Sequence, residues 1–120
     1  MDSTSINQYG FSNWIPLLSA NSPNVPQNAC IFVVRNNGNF GRLKGLSDIL
    51  YIGETNDLSR SVKEIYKPGP SQSTNQRLNH FLTTHSMEIS YTIQSVISKS
   101  NLLNSYELDH DELPPCNRTN

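Results

Sequence analysis

Residues 49–66 read Ile49-Leu50-Tyr51-Ile52-Gly53-Glu54-Thr55-Asn56-Asp57-Leu58-Ser59-Arg60-Ser61-Val62-Lys63-Glu64-Ile65-Tyr66. An apolar run enters Tyr51-Ile52-Gly53, polar residues turn the chain, and an amphipathic segment begins. Leu58, Val62 and Ile65 fall at i, i+4 and i+7, which predicts a helix over 57–66 with Asn56 or Asp57 as its N-cap. Lys67-Pro68-Gly69-Pro70 ends that helix abruptly. About twenty residues upstream, Cys30-Ile31-Phe32-Val33-Val34 forms a second apolar run. Its β-branched and aromatic content predicts a strand at 30–35, antiparallel to a strand at 49–53.

Working outward, Asn36-Asn37-Gly38-Asn39 is a hairpin signal, because Asn and Gly tolerate the positive φ of tight turns. The stretch through Phe40 to Leu46 then makes a long loop. Leu78, Phe81 and Leu82 predict a helix over 74–84. Alternation of Ile89, Tyr91 and Ile93 predicts a third strand over 87–93, and Ser95 to about Asp109 reads as a last helix. Leu113-Pro114-Pro115 closes the domain. Upstream, residues 1–9 read as disordered. Pro16 interrupts the apolar cluster Phe11 to Leu18, leaving Trp14 and Leu17 as a brace over the core. Asn21-Ser22-Pro23-Asn24-Val25-Pro26 is a loop, extended before each proline. The expected fold is therefore α+β, a small three-stranded antiparallel sheet flanked by helices in the order β-β-α-α-β-α. One domain over 11–117 lies between a disordered lead, 1–10, and a tail, 118–120.

At 120 residues the chain supports one modest core. Its hydrophobic fraction of 35% and mean hydropathy of −0.51 are low for a packed domain, so the ends are expected to be loose. A net charge of −1 argues against a general nucleic-acid coat protein, which needs clustered Lys and Arg. The charge is unevenly spread: residues 30–85 hold seven basic residues against four acidic, whereas Glu107, Asp109, Asp111 and Glu112 form an acidic end. A weakly basic body is compatible with a local phosphate site. Met1-Asp2-Ser3-Thr4 lacks the cationic and apolar regions of a signal peptide, and no run approaches a membrane span. The expectation is a cytoplasmic protein with no membrane partner, one buried thiol at Cys30 and one exposed thiol at Cys116. The sequon Asn117-Arg118-Thr119 carries little meaning without secretion.

Cys30-Ile31-Phe32 and Tyr51-Ile52-Gly53 together resemble the paired strands of the GIY-YIG nuclease superfamily. Trp14 to Leu17, Gly45 to Leu50, Pro68 to Asn75 and Leu113 to Arg118 resemble further segments of one branch of that family, in the same order. The likeness spans roughly residues 14–117. It implies a metal-dependent endonuclease in which tyrosine helps activate water, a first-helix arginine stabilises the phosphate and a later glutamate holds one divalent cation. Phosphodiester hydrolysis needs each part: water must lose a proton, and the charge gathering on phosphorus must be offset.

This chain keeps few of those parts. Phe32 stands where the first tyrosine is expected and cannot relay a proton; Tyr51 remains. The family arginine lies eight residues beyond the motif glycine, which is Ser61 here. Arg60 is adjacent, but neighbouring helical residues point about 100° apart, which turns Arg60 away from the sheet unless the helix slips by one residue. By family spacing the glutamate falls at Lys99, which repels a cation; Glu107, two turns later, is the remaining metal candidate. The implied site is thus degenerate, with Tyr51 and Arg60 as its catalytic candidates. Lys63, Lys67, Arg77 and His80 are the nucleic-acid-binding candidates. No cofactor is expected of a degenerate site, whereas an active one requires Mg²⁺ or Mn²⁺. The expected partners are DNA or a protein. The alternative is a working endonuclease that uses shifted residues. His85 and His110 lie near predicted helix ends, where a cation complements the dipole. The Pro68–Asn75 loop reads equally as a phosphate-facing lip or as an ordinary turn.

Overall fold

A computed structural model of the chain describes residues 1–18, 23–94 and 96–117. Asn21 and Ser22 of the expected loop, the expected helix start at Ser95, the Arg118-Thr119 part of the sequon and the 118–120 tail lie outside the described residues. The class is α+β. In chain order come a 3-10 helix (Ser3–Tyr9), β1 (Ile15–Leu17), β2 (Cys30–Gly41), β3 (Leu46–Thr55), α1 (Leu58–Tyr66), α2 (Ser73–Thr84), β4 (Met87–Thr92) and α3 (Lys99–His110).

The antiparallel sheet has four strands, in the order β1-β4-β2-β3, rather than the expected three. The extra strand is the anticipated brace. Ile15, Pro16 and Leu17 pair with Ile89, Glu88 and Met87. Proline survives there because β1 is an edge strand, where a missing N–H breaks no ladder.

Side-chain alternation splits the core into two layers. Phe32 and Val34 of β2, Leu50 of β3 and Ile89 of β4 face α1 and α2, joining Leu58, Val62, Ile65, Leu78 and Leu82. Val33, Ile49 and Ile52 face the other way, against Leu102, Leu103 and Tyr106 of α3 and Ile6 of the 3-10 helix. The register shifts by one residue at Leu50, since Val34 pairs with Tyr51 but Arg35 pairs with Ile49. This bulge turns both Leu50 and Tyr51 toward the α1/α2 layer.

Three further expectations are corrected. The lead is ordered: Asp2 caps the 3-10 helix, its carboxylate accepting the Thr4 N–H at 3.0 Å, and Ile6 is fully buried. Asn36–Asn39 is no hairpin turn. It bulges out of β2 while Asn36 pairs with Met87 of β4, and the β2–β3 turn lies at Arg42–Gly45, where Gly45 has φ 72°. Ile93 lies beyond β4 and is exposed. In addition, the last helix begins at Lys99 on a Ser98 cap.

Cys116, expected to be exposed, is buried, because the chain after α3 seals the open edge of β3. The Cys116 N–H donates to Leu50 O at 2.9 Å. The Asn117 amide imitates a strand residue, accepting the Ile52 N–H and donating to Ile52 O, both at 2.9 Å. Covering an edge in this way blocks association through it. Asn117→Ala leaves both Ile52 groups without a partner, so a loss of about 1–3 kcal/mol is expected, read as a lower urea midpoint at unchanged m. An unchanged midpoint would refute the clamp. Among the described residues, no helix is long and apolar enough to cross a membrane.

Candidate functional site

Strands β2 and β3 bring the two sequence motifs face to face, with Phe32 directly opposite Gly53. The Phe32 and Tyr51 rings meet over this glycine at a centroid distance of 5.7 Å and an interplanar angle of 49°. A Cβ at position 53 would lie 2.5 Å from Tyr51 Cε2 and 2.7 Å from Phe32 Cζ, so only glycine fits beneath the pair. Tyr51 is half-buried. Burial pushes its hydroxyl pKa up, and the nearby Cys116 and Glu54 add to the effect. A phenol held further from ionisation is more fully protonated at neutral pH, so less of it is the phenolate that could accept a proton from water.

Asp57, not Asn56, caps α1, its carboxylate accepting the Arg60 N–H at 3.1 Å. This cap fixes the helix register, and the one-residue slip that would turn Arg60 inward does not occur. Leu58, Val62 and Ile65 take the buried side. Arg60 is 64% exposed, with Nε 3.6 Å from Glu64 Oε1. Ser61 stands half-buried on the inner flank and donates to Thr55 Oγ1 at 2.6 Å. The position where an arginine is expected is therefore occupied by a hydroxyl that already has a partner.

The basic candidates lie on α1 and α2, all exposed. Lys63 and Lys67 sit at the C-terminal end of α1, where positive charge complements the helix dipole. Arg77 reaches from α2 to the C-terminal segment, Nη1 donating to Pro115 O at 3.0 Å. His80 has its ring 6.1 Å from that of Phe81. His85 caps the C-terminal end of α2, with its ring 5.2 Å from Phe81. His110 ends α3 in a packing role. It is buried, its ring 4.4 Å from Tyr106 and its Nδ1 2.8 Å from Lys44 O.

The carboxylate side of the expected site does not assemble at Tyr51. Lys99 is the first residue of α3 and Glu107 lies in its second half, and α3 covers the sheet face opposite Tyr51. Among the described residues no three His, Cys, Asp or Glu side chains are grouped to hold a metal ion. The Pro68–Asn75 loop is closed on itself. Gln72 Oε1 accepts from the Gly69 N–H at 3.0 Å and from Asn75 Nδ2 at 3.1 Å, while Gln76 Nε2 donates to Gly69 O at 2.8 Å. The last three residues of this loop, Ser73 to Asn75, already form the first turn of α2. Cys30 and Cys116 are unpaired, and burial pushes both thiols up to about 11, with Arg77 pulling Cys116 partly back. Neither is a thiolate nucleophile at neutral pH.

Sequence reasoning missed two features. One is the Pro115–Asn117 segment, which runs beside Tyr51 along the edge of β3. Its signal was the Pro-Pro-Cys-Asn run, whose docking depends on an edge that no local pattern reveals. The other is a cleft of about 800 Å³ at the strand ends, lined among the described residues by one charged side chain, Glu54, by hydroxyls and amides such as Asn56, Gln94 and Ser98, and by apolar Ile31, Ile93 and Val96. No family model, no curated protein and no solved structure matches this chain.

Proposed function

We propose that this chain is a GIY-YIG-like domain whose nuclease site is degenerate, and that it binds nucleic acid in the cytoplasm without cutting it. The observation that carries this reading is the register of α1. With Asp57 as cap, Ser61 and not an arginine meets the sheet, and Arg60 turns outward to Glu64. Phe32 in place of a tyrosine and Lys99 in place of a glutamate remove two more groups. Loss of one preorganised charge-stabilising group costs about 10²–10³ in rate. Losing the arginine, the glutamate and a tyrosine leaves little catalysis even though such losses do not add.

Binding survives such losses because it needs only exposed cations near a shaped surface. Lys63, Lys67 and Arg77 supply these on the α1/α2 side, the side that Tyr51 faces, and His80 adds an imidazole on the same helix as Arg77. Two unpaired buried thiols suit the reducing cytoplasm. No metal is required for this activity. Fluorescence anisotropy with a labelled 20-base-pair duplex in EDTA tests it. About three phosphate contacts predict that log K falls against log salt with a slope near −3. Absence of binding at low salt would sink the nucleic-acid reading and leave a protein partner as the ligand to seek.

A further inference from the structure

Resting on that reading, we propose that Arg77, on the second helix, is the phosphate anchor of the Tyr51 face, its ligand a phosphodiester of a nucleic-acid strand. The chain has four arginines among its described residues, and three are neutralised by a glutamate. Arg35 Nη2 lies 2.6 Å from Glu88, Arg42 Nη2 lies 2.9 Å from Glu112, and Arg60 Nε lies 3.6 Å from Glu64. Arg77 has no ion pair among the described residues. Among the described residues its guanidinium hydrogen-bonds through Nη1 to Pro115 O, a neutral carbonyl. Five N–H donors make up a guanidinium, so the rest of the planar fork stays available for bidentate phosphate recognition.

Its position is as informative as its charge. Pro115 is followed by Cys116 and Asn117, which hydrogen-bond to Leu50 and Ile52 on either side of Tyr51. The carbonyl that holds Arg77 therefore lies along the same strand edge as Tyr51. A side chain tethered at one nitrogen has lost much of its rotamer freedom before a ligand arrives, which lowers the entropic cost of binding. Among the described residues Lys63 and Lys67 have no such tether, and they act as diffuse charges.

The test compares glutamine variants that remove one charge each from the full chain, read by anisotropy on the labelled duplex and its single strand across a salt series. Arg77→Gln is expected to weaken binding about tenfold and to make the salt slope shallower by about one, whereas Arg60→Gln changes affinity less than about twofold. Arg77→Lys should keep the slope but recover only part of the affinity, because a point charge replaces a fork. Arg77 is exposed, and a thermal melt matching the wild type checks that each variant is folded. Wild-type affinity in Arg77→Gln, or equal losses in the two glutamine variants, overturns the anchor while leaving the nucleic-acid reading in place. A wild-type protein that binds neither probe overturns both.

Discussion

Gly53→Ala is expected to destabilise the domain by about 3 kcal/mol, near the top of the range for overpacked cores. A methyl group there would sit 2.5 Å from Tyr51 Cε2 and 2.7 Å from Phe32 Cζ, distances at which something must move. Neither ring is a flexible chain end. Phe32 is buried, and both rings pack into the α1/α2 layer. Relief requires displacing two rings or bending paired strands. For a chain of this size the melting temperature should drop by about 10 °C. Phe32→Ala introduced into the same background should recover part of that loss, a coupling that a double-mutant cycle reads directly. Wild-type stability in Gly53→Ala would mean that the rings do not meet over this glycine.

Ile6→Ala is expected to cost about 2–5 kcal/mol, as for other fully buried large-to-small changes. Ile6 has no exposed surface and belongs to the core layer that Val33, Ile49 and Ile52 build with Leu102, Leu103 and Tyr106. The helix that carries it is held by the Asp2 cap and by the Ser3 N–H, which donates to Asp48 Oδ1 at 2.7 Å. A disordered lead would predict a change within about 0.5 kcal/mol, the usual range for surface positions. Chemical denaturation of the variant separates these values cleanly. An effect below 1 kcal/mol would remove the 3-10 helix from the core.

The elements legible in the sequence are those with strong local signals. The β-branched runs at 30–34 and 49–52 are strands, and Leu58, Val62 and Ile65 with the Asp57 cap define α1. What escaped depends on contacts distant in sequence. Ile6 is the single apolar residue between Asp2 and Gln8, and only the opposite wall of the core makes it a core residue. Asn36–Asn39 carries every local mark of a tight turn, yet pairing of Asn36 with Met87 holds it inside β2. Ile15-Pro16-Leu17 is too short and too proline-broken to read as a strand; only the free edge of β4 makes it one.

The candidate site divides in the same way. The outward turn of Arg60 follows from helix geometry, and the Asp57 cap holds it there. Which sheet face α3 covers is a tertiary choice, so nothing local separates Glu107 and Lys99 from Tyr51. Arg77 was legible as a cation, but that it has no acidic partner among the described residues emerges only once the other arginines have found their glutamates.

The central claim is that this site binds without cutting, and incubation with supercoiled plasmid in Mg²⁺, Mn²⁺ or EDTA tests it most directly, with Tyr51→Phe alongside. No strand breaks are expected in any of the three conditions, and no difference between wild type and variant, from protein that melts cooperatively. Metal-dependent nicking that disappears in Tyr51→Phe would contradict that claim, and would mean that Arg60 and a shifted carboxylate complete a working endonuclease.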